Sequence, residues 1–129
     1  MPELVPQPTR VPVRGGKVIN EYVGRVSVGS GALSVAMMES PPGWSEPPPT
    51  PEFDEVTLVL VGEVHVEHRD GTLVAKAGQA VLCRAGERVR YSTPGGADYV
   101  AICLPAFDAD MVHREGDGDV RTSEAGSPA

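Results

Sequence analysis

Apolar and polar residues alternate along much of this chain with a period of two, the repeat of a strand with one face in a core and the other toward solvent. Val64-His65-Val66-Glu67-His68 is the clearest case; the β-forming run Val56-Thr57-Leu58-Val59-Leu60-Val61 precedes it, and Gly62 breaks the two apart. Residues 21–28 and 32–40 read as two further strands joined at Gly29-Ser30-Gly31, a hairpin signal. Residues 73–75, 80–83, 88–92 and 99–104 continue the pattern, punctuated by Gly78, Gly86 and Pro94-Gly95-Gly96. Short strands at this spacing predict an all-β sandwich or barrel. In the last of them Tyr99, Ala101 and Cys103 share one face and Val100, Ile102 and Leu104 the other, so one of these sets lines whatever the barrel encloses.

The segments between strands set the organisation. Residues 1–19 mix proline with polar and apolar residues in an extended style and predict an N-terminal arm at a sheet edge, able to reach a partner in a dimer. The run from Pro41 to Pro51 holds too many prolines to donate the hydrogen bonds of a central strand, so it predicts an irregular or edge connection. Asp108 to His113 is long enough for one helical turn, and residues 114–129 are polar and acidic enough to predict a disordered tail. The domain itself then covers residues 20–113.

Size and charge narrow the class. A chain of 129 residues is one domain, and 15 glycines with 13 prolines leave no room for long helices. A net charge of −7 argues against nucleic acid, whose binding depends on clustered Lys and Arg. No stretch approaches the roughly 18 apolar residues of a membrane helix, so no membrane partner is expected. The start Met1-Pro2-Glu3-Leu4 lacks the layout of a signal peptide, which makes the cytoplasm the expected location. Cys83 and Cys103 stand outside any metal-type spacing and read as buried reduced thiols.

Two sets of positions carry a family resemblance. Gly43, Pro49, Pro51, Glu55 and Gly62 match the spacing of the first cupin motif, and Gly78, Arg84, Gly86, Val89 and Thr93 match that of the second, with fifteen residues between Gly62 and Gly78. Over roughly residues 20–107 the chain thus resembles small, single-domain, RmlC-like cupins. The resemblance implies a double-stranded β-helix, or jelly-roll barrel, with an extended N-terminal arm, a pocket for a small organic ligand and a homodimer. It also resembles the ethanolamine-utilisation-type cupins, which lack the full histidine set. In metal-binding cupins three His and one Glu hold a divalent ion, but here the His positions are Pro49, Pro51 and Val89. Neither proline nor valine has a donor atom, and Glu55 alone does not hold a transition metal, so neither metal ligand nor cofactor is expected. The alternative is an oxygen-rich site for a divalent metal such as Mg²⁺, Ca²⁺ or Mn²⁺, built from Glu55 with Glu46, Glu52 and Asp54. His65 and His68 point to opposite faces of one strand and cannot share an ion.

The chemistry that remains is acid–base. Burial in an apolar barrel raises a carboxyl pKa toward neutrality, which makes Glu55 the first candidate for a general acid or base, tuned by Arg90 or Arg84. The strand carrying Val89 is expected to direct Glu87 and Tyr91 inward beside it, Tyr91 as the second catalytic group. Trp44 and Phe53 are expected at the lip of the pocket, with Glu46, Glu52, Tyr99 and Tyr22 as further binding residues. Three functions fit these residues: a metal-independent lyase, dehydratase or isomerase; a ligand-binding or sensor module without turnover; and a metal enzyme with a carboxylate-rich site.

Overall fold

The structure, a computed structural model, describes residues 1–114. Of the expected tail, everything after Arg114 lies outside the described residues. The described residues form nine strands: β1 (Thr9–Val11), β2 (Val18–Val23), β3 (Ser34–Ser40), β4 (Trp44–Ser45), β5 (Asp54–His68), β6 (Gly71–Lys76), β7 (Ala80–Cys83), β8 (Arg90–Thr93) and β9 (Ala97–Leu104). Every pairing is antiparallel, in the order β1-β2-β3-β9-β5-β8-β4, with β6 and β7 also on β5. This is the curled sheet of a cupin double-stranded β-helix, as the glycine spacing implied.

The long strand β5 organises the barrel. Its first half lies between β9 and β7, and its second half between β6 and β8. Gly62, expected to end one strand and begin another, instead lies inside a single strand at φ +81°. The pairing with β9 slips between Val59 and Val61, a bulge that reverses which residues face inward. Before it Thr57 and Val59 are buried; after it Val64 and Val66 are. One strand can therefore bury side chains in both sheets, and the central core of Val59, Val64, Val66, Val81 and Tyr99 is continuous across the turn.

The expected first hairpin is displaced toward the N-terminus. β2 spans Val18–Val23 rather than 21–28, and Val18 and Ile19, assigned to the arm, open it. The reason is local: the amides of Val26 and Ser27 donate to Glu21 Oε2 at 3.0 and 2.6 Å instead of joining a ladder. Residues 24–31 become a loop, and β1 pairs with β2 within the same chain. The Pro-rich connection does run along an edge: its two-residue strand β4 pairs only with β8, and Thr93 Oγ1 ties it down through Pro41 O at 3.0 Å. After β9 the chain makes one 3-10 turn, Ala109–Met111, capped by Asp108. Among the described residues no helix is long and apolar enough to cross a membrane.

Candidate functional site

The barrel encloses a cavity of about 360 Å³. β9 resolves the ambiguity of its two faces by alternation: Tyr99, Ala101 and Cys103 line the cavity, whereas Val100 and Ile102 lie on the outer face. Glu55 stands beside them, its β-carbon row running from Cys83 on β7 to Cys103 on β9. Its carboxyl is pushed up from the ordinary 4.5 to about 7, first by burial and then by the negative charge of Glu46. The charges of Lys17 and Arg114 and the Tyr91 hydroxyl pull in the other direction and do not cancel it.

Tyr91 enters from β8 and also lines the cavity. Its hydroxyl donates to Cys83 Sγ at 3.2 Å. Burial, followed by the charge of Glu55, holds the phenol far above its usual range, so Tyr91 is a proton-bearing donor and not a base near neutral pH. Burial likewise raises the thiols of Cys83 and Cys103. Both are buried free thiols rather than activated nucleophiles. Tyr99 completes the polar floor, its hydroxyl 3.0 Å from Ser40 Oγ.

Of the other expected residues, Trp44, Phe53 and Glu46 line the cavity. Phe53 is buried and tilts 59° against Phe107 at 5.8 Å, closing one wall. Glu46 is paired with Arg114, whose Nη2 and Nε lie 3.2 and 3.3 Å from Glu46 Oε1. Arg114, expected to open the disordered tail, instead pairs with Glu46, and its charge lowers the pKa of Glu55.

Six expected residues lie elsewhere. Glu87 is exposed and accepts from the Arg84 amide at 2.7 Å, because β8 begins only at Arg90 and the two-residue alternation does not extend back to position 87. Val89 is packed in the core and bonded through its amide to Pro49 O at 3.2 Å. Arg90 faces Glu67 on the outside, 4.0 Å away, so neither it nor the exposed Arg84 tunes Glu55. Glu52 is exposed and meets His113. Tyr22 falls at the register shift in β2 and is exposed, while its neighbour Glu21 turns inward and lines the cavity. Sequence reasoning took Tyr22 rather than Glu21 from the segment Asn20-Glu21-Tyr22 and missed Lys17, Arg25, Asp108 and Arg114, all at the cavity. Only Glu21 left a signal, its place two residues after the buried Ile19.

The divalent ion of metal-binding cupins does not fit these residues. Pro49 and Pro51 present apolar rings to the cavity and use their carbonyls to hold the amides of Val89 and Gly86. Glu46 is engaged by a guanidinium, Glu52 points away, and Asp54 accepts from the Ala85 amide at 2.8 Å. Among the described residues no group of three or more His, Cys, Asp or Glu side chains is arranged to hold a metal ion.

Comparison with known proteins agrees with this architecture. A Myxococcus xanthus protein named endoribonuclease YbeY is 41% identical over 107 residues, which are 81% of this chain but only 36% of that one. The crystal structure of a Salmonella typhimurium ethanolamine utilization protein, EutQ, superposes with a TM-score of 0.55 at 25% identity over 69% of each chain. An RmlC-like cupin from Shewanella frigidimarina superposes with a TM-score of 0.66 at 17% identity over 81% of this chain and 89% of its own. Residues 10–128 match the AraC-binding-like domain family, so the chain belongs to that family, folded as a cupin jelly roll.

Proposed function

We propose that this protein binds a small organic molecule in its barrel and moves a proton on it without a metal, as a lyase, dehydratase or isomerase. The observation that carries the reading is the convergence, on one cavity, of a carboxyl with a pKa of about 7 and a phenol that keeps its proton. Glu55 is then poised to give or take a proton near neutral pH, and Tyr91 donates a hydrogen bond to an oxygen that gains charge. The test is proton exchange: small hydroxy acids and ketones are incubated with metal-chelated protein in D₂O, and carbon-bound deuterium is followed by NMR. Exchange is expected in the wild type and is expected to fall about a hundredfold in Glu55→Gln, with a smaller loss in Tyr91→Phe. Activity that returns only on adding a divalent metal would overturn the reading.

The family match favours a second reading, ligand sensing without turnover, because its name denotes binding. In that case ligands bind and none exchanges. The RNA cleavage in the M. xanthus protein's name is not carried over: this chain spans 36% of that protein and has a net charge of −7.

The proposal includes a cytoplasmic homodimer, with residues 1–19 as its arm and the domain proper following. Across the outer face of the sheet, Val35, Ile102, Val56 and Leu82 form one row, and Met37, Val100, Leu58 and Ala80 the next. Such an apolar face on an acidic chain is suited to a second copy of itself. Leu58→Asp is expected to turn a dimer into a monomer in analytical ultracentrifugation; a monomeric wild type would remove the claim.

A further inference from the structure

Lys17 lies just before β2 and lines the cavity. Its Nζ is 4.0 Å from the centre of the Trp44 ring and 5.7 Å from that of Tyr99. The other two cationic side chains of the cavity have carboxylates: Arg114 lies 3.2 Å from Glu46, and Arg25 3.8 Å from Asp108. Lys17 has no carboxylate within salt-bridge distance among the described residues; aromatic faces hold it instead.

Ring faces attract an ammonium but offer no lone pair, and Lys brings three N–H donors. In a cavity walled by Met38, Phe53, Phe107 and Val112, a cation without an oxygen acceptor has much to gain from one supplied by a ligand. We propose that Lys17 is the carboxylate-binding group of this cavity and that its ligands are small monocarboxylic acids with an apolar, flat body. The proposal rests on the reading of the barrel as a small-molecule site, and it names the class of molecule.

The rest of the cavity is consistent with that class. Trp44 gives the body a flat surface beside the ammonium, and Tyr91 and Glu55, which line the same cavity, are available to a hydroxyl or carbonyl on it. Glu46 is offset by Arg114, and Glu55 takes up a proton near neutrality, so neither strongly repels a single negative charge. A phosphate dianion would face both acids with one point-like cation and no guanidinium fork free to grip it. A volume of about 360 Å³ is at the small end of ligand sites, which suits one ring and a short acid arm.

Trp44 is the chain's one tryptophan, so its emission reports on the place where Lys17 sits. The full chain is titrated at pH 7 with phenylacetate and with its neutral counterpart phenylacetamide. Phenylacetate is expected to change Trp44 emission saturably and to bind at least about tenfold more tightly than the amide. In Lys17→Met that preference is expected to vanish while the amide binds as before, and Lys17→Arg is expected to restore most of it. Amide binding equal to acid binding, or a preference that survives in Lys17→Met, overturns the assignment and leaves the small-molecule site standing. If neither compound is bound, both the assignment and the site it rests on fall.

Discussion

Between pH 4.5 and 7 the wild-type protein is expected to lose about 2–3 kcal/mol of stability relative to its Glu55→Gln variant, with no further relative loss above pH 7. The sign follows from proton counting. In the unfolded chain Glu55 ionises near its ordinary 4.5; in the folded barrel it holds its proton to about 7. In that interval the folded state binds more protons than the unfolded one, so rising pH favours unfolding, by at most about 1.4 kcal/mol per pH unit. Below 4.5 both states are protonated and the full stability is present; above 7 both are ionised and the loss is complete. Glu55 lines a cavity that water can enter, so the full conversion of the shift is an upper value. Other groups titrate in both proteins, and the difference between them isolates Glu55. Urea unfolding of the two at pH 4, 5, 6, 7 and 8 measures it, and parallel stability curves would defeat the account. A variant that gains stability as it loses proton exchange would show that the carboxyl is held against the interests of folding, as expected of a functional group.

What the sequence made legible has one physical root. A period of two and glycines at sharp turns are local signals, and a jelly roll is largely specified by them: β7 falls at residues 80–83 as read, and Glu55 and Tyr91 fall on the cavity. The misreadings occur where a side chain competes with the backbone or where a strand begins late. Glu21 captures two loop amides and ends β2 early; Glu87 precedes β8 and caps a turn. The charges around the cavity were the least legible. Lys17 and Arg114 come from opposite ends of the described chain and are brought to one cavity, around Glu55, only because the sheet curls. No pattern along the sequence records that convergence, so the tuning of Glu55 was assigned to nearby arginines that in fact point away.

Gly62→Ala is expected to cost about 3–5 kcal/mol of stability, enough to lower the melting temperature by roughly 10 °C or more. At φ +81° any L side chain is strained, but strain alone costs only about 1–2 kcal/mol. The larger part is contact: a β-carbon at position 62 would lie 2.3 Å from Gly96 O and 3.2 Å from Ala97 Cα. Both are backbone atoms, so no side chain can swing aside, and relief requires parting β5 from β9 where Gly62 pairs with Ala97. Gly78 is the control, because it has φ +84° but nothing within 4 Å of its added β-carbon. Gly78→Ala carries the strain without the collision and is expected to cost about 1 kcal/mol. Chemical denaturation of the two variants separates the terms, and equal losses would show that close approach at Gly62 is not what fixes the turn of β5. The outcome bears on the site as well as the fold. The first half of β5 carries Glu55 between β7 and β9, and the second half packs against β8, which brings Tyr91. The acid and the phenol can face one cavity only if a single strand passes from one sheet to the other, and at that passage there is room for glycine alone.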